Sequence, residues 1–220
     1  MAASVRARRP RLPEHPRRAG RPTIDEAERL NTKITEAAFR VFIREGYDAA
    51  TFDQIARESH TTRRSVKHRF PAKEFLLLAV VEVKMRDQIV DVVSPAALAS
   101  PKPLEALREV CASMLEAVDD NQLVEFYRLV VAEAAKVPPV SAAFLRLNDR
   151  LEMDLQSLVE RVQRAGHFAA CNSRAIAALL VGAFVSNPLN RITMGDAQFR
   201  TASYRRQYFS EVWAFLTRQA

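Results

Sequence analysis

Apolar residues in this chain recur at spacings of three and four from Ile34 to Leu216, and no stretch sustains a one-in-two alternation with polar ones. A spacing near 3.6 lines one face of a helix, whereas a half-buried strand needs a period of two. The chain is therefore expected to be all-α. Its punctuation divides that pattern into about nine helices. Thr23 begins the first, with Glu26 placed to complete a capping box. Ile34, Ala37, Ala38, Val41 and Phe42 form its buried face, up to a stop at Gly46. Thr51 and Gln54 repeat the capping-box signal for a short helix running through Ile55 and Ala56 to about Ser59. A turn at His60-Thr61 follows, and Thr62 caps a third short helix ending near Phe70, ahead of Pro71. Lys73 opens a fourth, with Phe75, Leu76, Ala79, Val80 and Val83 pointing inward.

Longer amphipathic helices fill the rest. Ser94-Pro95 and Pro101 to Pro103 read as a linker, after which Leu104, Leu107, Cys111, Leu115 and Val118 stripe the next helix. Leu123, Phe126, Tyr127, Val130, Val131 and Ala134 stripe another, expected to stop at Pro138-Pro139. Phe144, Leu147, Leu151, Leu155, Leu158 and Val162 carry a further helix to Gly166. A helix from about Ser173 to Met194 contains Pro188, which should kink it. The last spans roughly Gln198 to Arg218, with Tyr208, Phe209, Val212, Trp213, Phe215 and Leu216 on its apolar side.

Charge is unevenly distributed. Residues 1–73 hold 17 Lys and Arg against 9 Asp and Glu, and the remainder hold 16 against 17, so the net +7 lies wholly in the first third. A basic third on a neutral body points to a polyanion, nucleic acid before anionic lipid. Residues 1–22 carry seven arginines, four prolines and no apolar periodicity, the composition of a disordered arm. The expected organisation is an arm at 1–22, a DNA-binding domain at 23–72 and a larger helical domain at 73–220.

Other classes fit poorly. Of the five glycines, Gly46, Gly166 and Gly195 fall at helix ends, Gly20 is in the arm and Gly182 is inside a helix, leaving no loop to cradle a nucleotide phosphate. The four histidines, His15, His60, His68 and His167, lie near no Cys, Asp or Glu at metal-ligand spacing, and no nucleophile-elbow sequence occurs. No enzyme, metal or cofactor is expected. Cys111 and Cys171 are too few for a disulfide framework. The apolar runs are shorter than a bilayer span and the N-terminus has no secretory apolar region, so a cytoplasmic protein with no membrane partner is expected.

Two short helices across a tight turn are the means by which a helix is offered to the major groove. The segment from Thr62 to Arg69 presents Thr62, Arg63, Arg64, Ser65, Lys67, His68 and Arg69, with Val66 and Phe70 left to seat it. Guanidinium forks read guanine N7 and O6, and hydroxyls and lysine bind phosphates or base edges. Charge alone favours a solvated basic face; the coincidence of helix lengths, turn, clustering and basic arm overturns that in favour of DNA. Two rivals remain: a protein that binds any nucleic acid alike, and an enzyme with an unrecognised site.

These residues resemble the TetR family of transcriptional regulators. The resemblance runs from Gly20 to about Leu78, through Ile34, Ala37, Ala38, Phe42, Gly46 and Tyr47. It continues with Thr51, Phe52, Ile55, Ala56, Val66, Phe70, Pro71, Lys73, Glu74 and Leu76. It implies a three-helix DNA-binding domain with 63–69 as recognition helix, followed by a ligand-binding body that dimerises through its last two long helices. It places Thr51, Thr62, Arg63, Arg64, Ser65, Lys67, His68, Arg69 and Lys73 at the DNA, Lys73 on a phosphate. Arg18 and Arg21, beside a Gly-Arg-Pro sequence, fit a narrow minor groove or a solubilising tail equally well. Where the family usually has a turn glycine this chain has His60, Thr61 replaces a small apolar residue, and Lys67 replaces a frequent tyrosine. The run from Phe126 to Pro138 resembles the C-terminal domain of the AefR-like subgroup. Met114, Phe126, Tyr127, Arg128, Val130, Phe144 and Phe184 are candidates to line an effector cavity, though core packing accounts for the apolar ones too. Arg128 and Glu133 are also readable as an ion pair. Ile176, Leu180, Phe184, Tyr208, Val212, Trp213 and Leu216 are candidates for the dimer interface, or for packing within one chain. The expected function is a homodimeric repressor on an inverted-repeat DNA operator. A small-molecule effector would release it by changing the spacing of two recognition helices.

Overall fold

A computed structural model describes residues 24–88, 92–168 and 172–218; Arg18, Arg21, the Thr23 cap and Cys171 lie outside them. Among the described residues the chain is helical, with no strand. α1 (Ile24–Glu45), α2 (Phe52–Glu58), α3 (Arg63–Arg69) and α4 (Lys73–Gln88) begin where their start signals stand, and α1 to α3 end at theirs. The Thr51 capping box is formed: its Oγ1 accepts from the Gln54 backbone N–H at 3.3 Å while Gln54 Oε1 accepts from the Thr51 N–H at 2.8 Å. Ile34, Ala37, Ala38, Val41 and Phe42 of α1 are buried with Ile55 and Ala56 of α2, Val66 of α3 and Leu76, Leu77 and Val80 of α4.

α4 departs from the single stripe expected of it. It packs against α1 on one side and against α7 and α8 on others, so Leu76, Leu77, Val80, Val81 and Met85 are all buried. Phe75, expected inside, is 54% exposed because it lies on the side of the helix away from the buried arc of Leu76, Leu77, Val80, Val81 and Met85.

The proline-rich stretch after α4 is not a plain linker. Ser94 caps a short helix, α5 (Pro95–Ala99), its Oγ accepting from the Ala97 N–H at 3.1 Å. Arg161 donates to the carbonyls of Leu98 and Ser100 at the far end. The body continues with α6 (Pro103–Ala117), α7 (Asn121–Glu133) and α8 (Pro138–Arg164). Pro138 and Pro139 open α8 instead of closing the helix before it, since the first helical turn needs no N–H from them. α7 has already ended at Glu133. Val131 is exposed, and Val124 and Leu129 take the inward positions on that helix.

The helix is interrupted just ahead of Pro188, and the interruption has a visible cause. α9 (Ser173–Val181) widens into a π turn at Gly182–Ser186 and resumes as α10 (Asn187–Thr193). In the π register the Asn187 N–H reaches the Gly182 carbonyl, and the next rung would run from residue 188 to Ala183. Proline has no N–H to give, and the Tyr208 hydroxyl donates to the Ala183 carbonyl at 2.9 Å instead. The rod Ser173–Thr193 is long and apolar enough to cross a membrane by length and composition alone. In the fold its Ala177, Leu180, Val181, Phe184 and Leu189 are buried, and it packs on α8, α6 and α7. A 3-10 turn, Gln198–Arg200, leads into the last helix, α11 (Ala202–Arg218). With the interrupted rod Ser173–Thr193 taken as one element, α5 is, among the described residues, the α-helix added to the nine expected.

Candidate nucleic-acid interface

The turn between α2 and α3 sets the angle at which α3 is presented. The Thr61 N–H returns to the Ala56 carbonyl at 2.9 Å and the His60 N–H to Arg57 at 3.1 Å, the paired bonds of a Schellman stop. The same pair of bonds closes the helices before Gly166 and Gly195. At all three the residue after the cap is left-handed, with φ of 82° and 92° at the glycines and 53° at His60. His60 is thus the one side chain made to adopt a glycine conformation among the described residues.

α3 is seated by Val66, which is fully buried, and by the half-buried Phe70. Its N-terminus is closed by Thr62, whose Oγ1 accepts from the Ser65 N–H at 3.1 Å. Arg63, Arg64, Lys67 and His68 are exposed. Lys67 lies over the Phe52 ring, its Nζ 5.4 Å from the centroid, and Arg63 Nη1 donates to Asp53 Oδ2 at 3.0 Å. Asp53 and Arg57, one turn apart on the exposed side of α2, complete this face and had no motif to mark them in the sequence.

Other members of the expected set are turned to structural work. Arg69 reaches back to α1, where its Nη1 donates to Asn31 Oδ1 at 2.9 Å. Lys73 donates from Nζ to the carbonyls of Tyr47 and Asp48, both at 2.9 Å, and lies over the Tyr47 ring. Thr51 is occupied by its capping box. On α2, Glu58 points to α1 and accepts from Arg40 Nε at 2.8 Å and Arg44 Nη1 at 3.4 Å. The Arg40 hydrogen bond is the largest influence holding the Glu58 carboxyl below its ordinary range.

The three-helix head and the helical body meet along α1, α4, α7 and α8. Phe39 of α1 meets Phe126 of α7 edge to face at 6.5 Å. Lys84 of α4 donates to Gln122 Oε1 at 3.1 Å. Lys136, beyond α7, donates to the buried Glu133 at 3.2 Å and stands 3.7 Å from Asp48. Burial, then the charges of Glu74, Glu133 and Asp48, push the Tyr47 phenol up to about 12. Glu133 does not pair with Arg128: five residues apart on a helix they face different ways, and Arg128 Nη2 instead reaches the Thr193 carbonyl at 3.5 Å.

Of the effector-cavity candidates, Met114, Phe126, Val130 and Phe184 are buried, Tyr127 and Phe144 half-buried and Arg128 exposed. The Tyr127 hydroxyl donates to Asn190 Oδ1 at 2.7 Å. Arg128 lines a groove of about 370 Å³ between α1 and α7, with Phe42, Tyr47 and Leu129. Of the dimer candidates, Leu180 and Phe184 are closed inside the single chain, and Tyr208 serves the π turn. Ile176, Val212, Trp213 and Leu216 are partly exposed. The large apolar side chains left exposed on these helices are Leu179, 65% exposed, and Phe215, 64% exposed.

An all-helical chain that offers a short cationic helix across a capped turn, on a larger helical body, is a helix-turn-helix protein in architecture. Residues 34–80 match the model of the bacterial regulatory proteins of the tetR family. Residues 105–218 match the model of the AefR-like transcriptional repressor C-terminal domain. The chain belongs to the TetR family of transcriptional regulators. Among its relatives, the HTH-type transcriptional regulator SrpR of Pseudomonas putida is 33% identical over 111 residues, half of each protein. TtgW, an HTH-type transcriptional regulator also of Pseudomonas putida, is 32% identical over 111 residues, 50% of this chain and 79% of that protein. A TetR-family regulator from Mesorhizobium loti shares the fold, with a TM-score of 0.76 at 23% identity over 86% of this chain and 96% of that one.

Proposed function

We propose that this chain is a sequence-specific DNA-binding repressor, homodimeric and cytoplasmic, released from a double-stranded operator by a small-molecule effector. One observation carries the reading: the exposed side of α3 gathers Arg63, Arg64, Lys67 and His68, while Val66 fixes the helix from behind. Guanidinium groups at the N-terminal end of such a helix are placed for base edges, and Lys67 for phosphate. Arg69 and Lys73 support α3 and α4 through their bonds to α1 and the loop after it. Catalysis and a cofactor have no part in it.

Two copies are needed because one seven-residue helix reads few base pairs, and a two-fold pair holding its recognition helices ~34 Å apart reads an inverted repeat. Effector control would run through the shared seams. A ligand among α6, α7, α8 and α9 displaces α7 against Phe39 and α8 against α4, and both displacements turn the head. The effector must prefer the turned geometry, since equal affinity for both states shifts nothing.

The test is Arg63→Ala with Arg64→Ala, titrated against an enriched duplex and a shuffled one. The preference should fall by about 100-fold or more, with the melting temperature retained. Undiminished preference would remove α3 from base reading, and equal binding of both duplexes by the unmodified protein would favour a general nucleic-acid binder.

A further inference from the structure

The outer face of α2 and α3 is cationic with one exception. From Thr51 to Phe70 the chain carries Arg57, Arg63, Arg64, Lys67 and Arg69 against two carboxylates. Glu58 is drawn away to α1 by Arg40 and Arg44. Asp53 stays on the face, in the first turn of α2, with its Oδ2 3.0 Å from Arg63 Nη1. The two side chains are 57% and 58% exposed. An exposed ion pair of this kind adds little to stability, so the fold does not require it. Beside a DNA-reading surface the same carboxylate repels the phosphates that its neighbours attract, so bulk affinity does not require it either.

What Asp53 does is hold a guanidinium. An arginine free on a surface loses rotamer freedom when it docks on a base edge, whereas one hydrogen-bonded to a neighbouring carboxylate samples fewer orientations beforehand and loses less. Its donors beyond the carboxylate remain for the base. The carboxylate also offsets the arginine's attraction for phosphate irrespective of sequence.

We propose that Asp53 is a positioning residue for base readout. It fixes the Arg63 guanidinium at the N-terminal end of α3 and suppresses its indiscriminate pull on phosphate, so that Arg63 adds discrimination in place of general affinity. The inference deepens the reading of α3 as recognition helix and rests on it.

The test compares the unmodified protein, Asp53→Asn, Asp53→Glu, Arg63→Ala and the Asp53→Asn/Arg63→Ala pair. Each is titrated at several salt concentrations against a duplex that the unmodified protein enriches from a random pool and against a shuffled duplex of equal composition. Asp53→Asn should bind the shuffled duplex several-fold more tightly with a steeper salt dependence, and its preference should fall about tenfold. Asp53→Glu should keep most of the preference, and in the Arg63→Ala background Asp53→Asn should leave it unchanged. An effect that persists without Arg63 means that Asp53 touches DNA itself and overturns the positioning role. An enriched duplex whose preference survives Asp53→Asn overturns this inference alone. Failure to enrich any duplex overturns the reading of α3 and this inference together.

Discussion

His60 holds a conformation that its side chain resists. At φ 53° it closes α2 where two glycines close other helices by the same pair of bonds. Substitution by glycine removes the left-handed penalty of about 1–2 kcal/mol, less what the freer unfolded chain regains. His60→Gly should therefore stabilise the protein by roughly 0.5–1 kcal/mol in urea denaturation. No gain, or a loss, would mean that the His60 side chain has a compensating contact. Glu58 makes a second residue-scale prediction, through pH. Its folded carboxyl titrates below its unfolded value because of Arg40 and Arg44, so its contribution is complete above the ordinary carboxylate range. That contribution fades as pH falls through the depressed value. The melting-temperature difference between the unmodified protein and Glu58→Gln should be present at pH 7 and shrink toward zero in acid; a difference independent of pH would contradict the clamp. Residue identities on α3 were legible in the sequence, since charge and spacing alone set its exposed face. The partners of Arg69 and Lys73 were not, because each reaches a residue more than twenty positions away on α1 or its loop.

At the scale of elements, caps and glycines located the helices of the head almost to the residue, because each boundary is set by bonds between residues three to five apart. The body was less legible where proline was read only as a breaker. Pro95, Pro103 and Pro138 each stand in a first helical turn, and the short α5 was missed for that reason. An interruption of the helix near Pro188 was legible, while the π turn that makes it and the hydroxyl that completes it were not, because Tyr208 is twenty-five residues from Ala183. Replacing Tyr208 with Phe leaves the Ala183 carbonyl without that donor and should cost about 1–2 kcal/mol, read as a lower urea midpoint with unchanged slope. An unaffected midpoint would mean that the carbonyl finds another donor. A changed slope would signal a wider rearrangement.

At the scale of the whole molecule, reading an inverted repeat requires two copies. Leu180 and Phe184 look like interface residues in sequence because apolar periodicity cannot tell an inner from an outer contact; the fold closes both inside one chain and leaves Leu179 and Phe215 outside. If the last two long helices pair with those of a second copy, Leu179→Glu with Phe215→Glu places carboxylates in that seam. The dimer dissociation constant should then rise by on the order of 100-fold or more, seen in sedimentation as monomer, with DNA binding weakened in step. Persistent dimers would move the interface elsewhere. The most direct measurement of the central claim is selection of duplexes from a random DNA pool by the unmodified protein. An inverted repeat whose half-sites are centred about one helical turn apart is expected. Recovery of sequences with no common motif, or of a single unrepeated half-site, would contradict it.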